Sequence, residues 1–368
     1  MRMTAVVGLS QESAGPAAVR AAVRAACAGH EPHVVVLFAT HGHDPQVVLD
    51  AARDVTAAHV VGCAASGILA GDVEIEEGPA VAALALGGNE PLMAFLAGGP
   101  TEVPPPADHG LAVLLADGYG RHPDELVREA QSAWPGWTIA GAVTTGPAGS
   151  FPAHRWHDDE ISAGGLAGLL VGSPALVGVT QACRPVGPVH TVSRASGRVV
   201  AEIDGRRAFD VFAERARPLL DDLGRAAQSV LLAVPDDPED RDLEEGYVVR
   251  GVLRFDPDRG LLALSSPLAE GMRLRFAVRD AYAARADLQR VVADVERRLE
   301  GRRPRYGFYF TGAGRGRALY GVEDHDVAYL RNTLGEFPLI GVFTGGEIGP
   351  AMLRPRLHLF AGVLAVVP

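Results

Sequence analysis

The chain has 368 residues, enough for about two domains at roughly 150 residues each, and 48% of them are apolar, enough to fill real cores. Its formal charge of −11 repels phosphate backbones and argues against nucleic-acid binding as a main role. All 34 basic residues are Arg, which removes a Walker A lysine and any Schiff-base chemistry.

From the N-terminus, MRMTAVVGLSQES has no sustained apolar run, so no secretory leader is expected. Cys27, Cys63 and Cys183 are odd in number and widely spaced, the pattern of a reducing compartment rather than of a disulfide framework or a thiolate zinc site. The uncharged stretch Ile161–Cys183 reads as two strands around a Gly-Ser-Pro turn, not as a membrane span. A cytoplasmic protein with no membrane association is expected.

One unit of strand, helix, Gly-terminated strand and final strand occurs three times. The first copy runs Val34–Thr40, a helix near Pro45–Ala57, HVVGCAASG and Ala80–Leu86. The second runs Leu111–Asp117, a helix near Pro123–Ala133, TIAGAVTTG and Gly165–Val171. The third runs Tyr306–Thr311, a helix near His325–Leu334, LIGVFTGG and His358–Val367. First strand to signature glycine spans 28, 30 and 35 residues, ending at Gly62, Gly141 and Gly341. Near-constant spacing marks a repeated supersecondary unit, and a fourth, degenerate copy is expected from Ser229–Val234. Asp44 before Pro45 gives a helix start. Ala281–Glu300 is an amphipathic helix with Leu288, Val291, Val292, Val295 and Leu299 on one face. VPPPAD at 103–108 reads as a stiff linker and the acidic segment Pro235–Glu245 as an exposed loop. The expected fold is mixed α/β: duplicated strand-helix-strand-strand units forming mixed sheets flanked by helices, in two domains divided near residue 217.

Three turns fit G-x-x-x-x-G: GCAASG (62–67), GAVTTG (141–146) and GVFTGG (341–346). Glycine there permits positive φ and close backbone approach, and ligands in α/β sheets sit beyond strand carboxyl ends. Either the turns recur because the fold recurs, or at least one binds a ligand, with Ser66, Thr144, Thr145 and Thr344 supplying hydroxyls. In the third copy Arg315 of TGAGRGRALYG and Glu347 of GVFTGGEIGP can hold a zwitterion, Arg on the carboxylate and Glu on the ammonium, or can brace each other as an internal ion pair. The expected ligand-binding set is Arg315, Glu347, Gly312, Gly314, Thr344, Gly345, Gly346, Thr145 and Ser66. No catalytic residue, metal ligand or cofactor is assigned. GAGRG fails the dinucleotide fingerprint because Arg317 stands where the third glycine belongs. In THGHD (40–44), His41 and His43 are loop residues or ligands of a metal-assisted hydrolase; HRWHDDE (154–160) reads as a polar surface loop, and Cys63 as a buried thiol.

These stretches resemble the FIST family (F-box and intracellular signal transduction proteins). VVVLFAT with VGCAASGIL resembles the opening of its N-terminal domain, and Asp204, Gly205 and Ala208 of GRVVAEIDGRRAFDVFAE its DG-x-x-A segment. TGAGRGRALYG and PLIGVFTGGEIGP resemble the end of its C-terminal domain. The resemblance implies an N-terminal domain over 1–217 and a C-terminal domain over 218–368. It also implies a sensory role with a small amino-acid-like or anionic ligand. The expected protein is a stand-alone sensor whose signal passes through a partner protein; the alternatives are a hydrolase using His41 and His43, or a ligand-free interaction scaffold. Where the family's first signature continues Gly-Glu-Ile, this chain has Gly67-Ile68-Leu69.

Overall fold

The strand β2 (Val34–Thr40) is buried along its whole length, as its unbroken run of apolar residues requires of a strand covered on both faces. Preceding it are β1 (Thr4–Ser10) and α1 (Pro16–Ala26), and after it come α2 (Pro45–Arg53), β3 (His59–Ala65), β4 (Gly67–Ala70), β5 (Val73–Ile75) and β6 (Val81–Gly87). The computed structural model describes residues 4–147, 152–217, 220–236, 243, 247–351 and 354–368. Asp44 caps α2 as expected, its Oδ1 accepting the N–H groups of Gln46 (2.9 Å) and Val47 (3.1 Å).

The same order then returns: β7 (Leu92–Ala97), β8 (Gly110–Asp117), α3 (Pro123–Ala133), β9 (Trp137–Thr144), β10 (Arg155–His157), β11 (Glu160–Ser162) and β12 (Leu166–Val171). A third round opens with β13 (Leu176–Gln181). It is interrupted by β14 (Cys183–Ser196), β15 (Val199–Ile203), β16 (Arg206–Arg207), α4 (Ala208–Ala216), α5 (Leu223–Ser229), β17 (Val230–Pro235), β18 (Tyr247–Arg250), β19 (Val252–Asp256), β20 (Leu261–Leu264) and β21 (Arg273–Arg279). It resumes with α6 (Ala281–Leu299), β22 (Tyr306–Gly312), α7 (Gly316–Tyr320), α8 (His325–Leu334), β23 (Leu339–Thr344), β24 (Gly346–Ala351), β25 (Arg354–His358) and β26 (Ala361–Val367). The chain thus forms two compact units: residues 1–180 with 285–368, holding all three repeats, and 181–284, inserted within the third.

Each repeat builds one sheet, and the three sheets have equivalent orders: β1-β6-β2-β3-β10-β11, β7-β12-β8-β9-β24-β25 and β13-β26-β22-β23-β4-β5. In each, a parallel pair lies at the centre, and the last two strands come from another repeat. The hairpin β4–β5 leaves β3 and pairs with β23, β24–β25 leaves β23 and pairs with β9, and β10–β11 leaves β9 and pairs with β3. The exchange closes a three-membered ring. Alternation sorts the side chains. Val34, Val36 and Phe38 meet Leu111, Val113 and Leu115, and Tyr306, Phe308 and Phe310, in one shared core. On the outer faces Val35 and Leu37 pack on α1 and α2, Ala112 and Leu114 on α3, and Tyr309 on α6 and α8. The apolar face expected for α6 is buried, Val292 and Val295 wholly so.

The inserted unit is a sheet of order β18-β17-β21-β14-β15-β20-β19, with β16 beside β15. Its β17 pairs antiparallel with both β18 and β21. The SVLLAV segment is therefore not a fourth copy, because a copy requires a parallel strand pair. The DG-x-x-A segment is a tight turn: Asp204 (φ 53°) and Gly205 (φ 71°) both take positive φ between β15 and β16, the geometry Asp-Gly hairpins favour. Ala208 then starts α4. The acidic segment 235–245 lies mostly, and Pro218 wholly, outside the described residues.

Candidate functional site

The signature glycines do not open the turns. Gly62, Gly141 and Gly341 lie within β3, β9 and β23, opposite Leu37, Leu114 and Tyr309 on the neighbouring parallel strand. A Cβ there would stand 1.7, 2.0 and 1.7 Å from those carbonyl oxygens. None of the three has positive φ, nor do Gly345 and Gly346, so the glycines answer to close approach and not to left-handed backbone. The turns proper pass through Ser66, Thr145 and Gly345, each at the point where the chain crosses from one sheet to the next.

These crossovers gather at one end of the repeat unit. β3, β9 and β23 approach one another pairwise, Cα atoms to within 8 Å. Gly345 N–H donates to the Val143 carbonyl (3.2 Å), and a Cβ on Gly345 would fall 2.4 Å from Thr145 Cγ2. His41 N–H donates to the Ala65 carbonyl (3.2 Å), and Ala64 N–H to that of His154 (2.9 Å). The His41 ring lies against the Thr145 backbone, and burial draws it below the ordinary histidine range more than that contact raises it.

Register exposes a threefold equivalence hidden in the sequence. The residue one beyond each signature glycine faces Arg155 (from Cys63), Glu347 (from Ala142) and Ile68 (from Val342). All three are fully buried. Glu347 is satisfied there: Thr344 Oγ1 donates to its Oε1 (2.9 Å) and the Ala361 N–H to its Oε2 (2.9 Å). Burial pushes it up to about 8, so at pH 7 its neutral form dominates. Arg155 is not satisfied. Its Nη1 donates to Thr144 Oγ1 (2.5 Å), which in turn donates to the Ala116 carbonyl (3.0 Å), while Nε and Nη2 have no hydrogen-bond partner among the described residues. Burial lowers the Arg155 guanidinium from its ordinary value, opposed by the nearby Asp117 and Cys63. Asp117 accepts the Tyr119 and Gly120 N–H groups (2.9 and 2.7 Å). Half-buried His41, Ser66, Thr145 and His154 lie at the crossovers themselves. Cys63 is a buried thiol, as expected, and burial pushes it up to about 12.

Among the residues expected from sequence, Ser66, Thr145 and Gly345 each stand at a crossover, and a Cβ on Gly345 would touch Thr145. Thr344 and Gly312 lie against Glu347, a Cβ on Gly312 falling 3.2 Å from its Oε1. Gly346 begins β24, and Gly314 lies half-buried in the turn before α7. Arg315 pairs with Asp326, not with Glu347. Its Nε and Nη2 lie 3.1 and 3.0 Å from Asp326 Oδ2, Nη2 also donates to Tyr320 Oη (2.8 Å), and Nη1 points at the Thr180 carbonyl (3.4 Å). Tyr309 donates its hydroxyl to the same carboxylate (2.6 Å). Burial alone would raise Asp326; the guanidinium overrides it and holds the carboxyl far below its usual range. A buried carboxylate needs its cation, which fixes Arg315 as a brace between β22 and α8. His43 is buried, and neither His41 nor His43 joins a group of three metal-type ligands among the described residues. HRWHDDE is not a surface loop: Arg155–His157 is a strand, with Arg155 and Trp156 wholly buried.

A FIST N domain matches residues 33–206 and a FIST C domain residues 208–350. The chain belongs to the FIST family. FIST domains are associated with sensory signal transduction. Among similar FIST relatives, an uncharacterised protein of Mycobacterium tuberculosis is 33% identical, covering 96% of this chain and 97% of its own length. An uncharacterised protein of Mycobacterium bovis is 31% identical, over 95% and 96%. The two FIST matches meet inside β16, whereas the compact units part at 180/181 and 284/285. The third repeat therefore draws residues from both FIST domains. Among the described residues no helix is long and apolar enough to cross a membrane.

Proposed function

We propose that the protein is a sensor whose FIST repeats bind a small anionic or zwitterionic ligand, amino-acid-like in its carboxylate, where the three crossovers meet, and that it signals through a partner protein in the cytoplasm. The observation that carries this reading is Arg155: a fully buried guanidinium with Nε and Nη2 unpartnered among the described residues. Leaving such donors unmet is costly unless something else meets them, and a planar fork whose Nε–Nη2 edge is free matches a carboxylate. Thr145, Ser66, His41 and His154 would then form the rim. A cleft of about 440 Å³ lies elsewhere in the same unit, beside β1 and Phe337. It suits an anion less well, because its Arg331 is already paired with Asp72 and Glu336. Calorimetric titration with free amino acids, short dicarboxylates and inorganic phosphate tests the proposal. Saturable binding to the wild type that disappears in Arg155→Met supports it; an absence of binding by every compound, or binding that survives the substitution, refutes it.

A further inference from the structure

At the far end of the strands that carry Arg155 and Cys63 lies a second cluster, which the proposed function does not use. β10 runs antiparallel to β3 with His157 opposite Val61. His59, two residues from Val61 along β3, therefore shares a face with His157 as its diagonal neighbour. The two imidazoles stack with centroids 6.0 Å apart. The next residue, Asp158, turns β10 into β11 with a positive φ of 54°, a strained position for a residue other than glycine. Its carboxylate is held in place by neighbours on two elements. Oδ1 is anchored twice, by the Val60 N–H (3.0 Å) and by Arg53 Nη2 (2.7 Å). Oδ2 is left facing His59 Nδ1 at 2.8 Å and His157 Nε2 at 3.5 Å. One ligand atom from each of the three residues lies within 4.8 Å of the other two.

We infer that His59, His157 and Asp158 form a binding site for a divalent transition-metal ion of the zinc type. Two imidazole nitrogens and one carboxylate oxygen are the donor set of such ions, whereas calcium and magnesium select oxygen alone. Arg53 and the Val60 N–H play the orienting part that outer partners play at metal centres: they fix the carboxylate through one oxygen and present the other. His59 is the most exposed of the three, so the remaining coordination positions open to solvent. The ion would fasten the start of β3 to the end of a strand that the second repeat lends to the first sheet. The spacing of His154 and His157 in sequence gave no hint of this, because the ligands come from two strands and are aligned by register, not by a helical repeat.

The test uses the full chain without an affinity tag, dialysed against chelator. Zn²⁺ is titrated calorimetrically and Co²⁺ followed by its visible absorption. The expected result is one equivalent of Zn²⁺ bound at micromolar affinity or tighter, visible Co²⁺ bands, and a thermal midpoint that rises with metal. His59→Gln, which alters an exposed side chain and should fold normally, is expected to weaken binding by about 10- to 100-fold, and His157→Gln likewise. Failure of the wild type to bind at 100 µM added Zn²⁺ (about a hundredfold above the expected constant) would overturn the assignment. So would unchanged stoichiometry and affinity in His59→Gln, which would move the metal to other histidines.

Discussion

Replacing Arg155 with Met should make the unliganded protein more stable and, on the proposed function, abolish ligand binding. A guanidinium carries five N–H donors. In Arg155 one meets Thr144, while the one on Nε and the two on Nη2 meet nothing among the described residues. Each buried orphan donor costs about 1–3 kcal/mol. Attraction to Asp117 and the bond to Thr144 offset part of that sum. Exchange for an apolar side chain of similar length, which removes the orphaned donors together with the guanidinium, is expected to gain about 1–2 kcal/mol net. For a unit of this size that is a rise in midpoint of about 2–8 °C. Asp117 is not stranded by the change, since it keeps the N–H groups of Tyr119 and Gly120. Thermal and urea unfolding of both proteins, with and without the compounds that bind the wild type, supply the measurement. A variant destabilised by more than about 2 kcal/mol would show Arg155 to be a structural brace, and a ligand-induced shift that persists in the Arg155→Met variant would remove the guanidinium from the site; either result refutes the reasoning.

Gly341→Ala places a Cβ 1.7 Å from the Tyr309 carbonyl oxygen, so two backbones must separate; a loss of about 3 kcal/mol or more is expected in urea titrations. Gly164→Ala, with nothing near its Cβ, should stay within about 0.5 kcal/mol as the control, and equal behaviour of the two would dismiss the close-approach explanation. Glu347 and Glu74 are both pushed up to about 8 by burial, above their value in the unfolded chain. The folded state then holds protons that the unfolded state has released, so stability falls as pH rises from about 4.5 to about 8. Glu347→Gln should flatten that decline, its amide facing Thr344 and its carbonyl accepting from Ala361; parallel pH profiles for variant and wild type would contradict this. Asp326→Asn strands the buried Arg315 and should cost about 3–5 kcal/mol in equilibrium unfolding; a loss below about 1 kcal/mol would show that the Arg315–Asp326 pair braces little.

The elements bounded by local chemistry were legible. Pro45 behind Asp44, Pro123 ahead of two acids, and the face of Leu288, Val292 and Val295 mark helices through neighbours a few residues apart. The all-apolar strands at 34–40, 111–117 and 306–311 show their burial in their own composition. What escaped was set at long range. The leading strand of the third repeat begins at Leu176, 130 residues before Tyr306, whereas Thr4 and Val34 are 30 apart; the inserted unit breaks the period. The signature glycines were recognised, but their cause was not, because the carbonyl that excludes a Cβ belongs to the adjacent strand. Arg155 was passed over for a similar reason. Ile68 and Glu347 each follow their signature glycine by 6 residues, but Arg155 follows Gly141 by 14, so the copies cannot be aligned through it without register. Its neighbours His154, His157, Asp158 and Asp159 also make the stretch look solvated.

The ring of exchanged hairpins explains why a site should arise where it does. A single repeat supplies a parallel pair and exports its next two strands, so the first residues of each exported strand are buried against another repeat. Three equivalent positions follow automatically, all at full burial and all beside the crossovers. A fold made only for packing would fill them alike, as Ile68 fills the first. Here the third holds an acid with its hydroxyl and amide donors in place, and the second holds a base whose donors are mostly unmet. The two ionisable positions use the same device, a threonine that ends the preceding strand: Thr344 for Glu347 and Thr144 for Arg155. The first copy has Ala65 at that place, so hydroxyl and ionisable group are lost together. That correlation treats threonine and ionisable side chain as one unit, distributed over two repeats of three. On the proposed function, the site lies at the meeting of repeats rather than in either FIST domain taken alone.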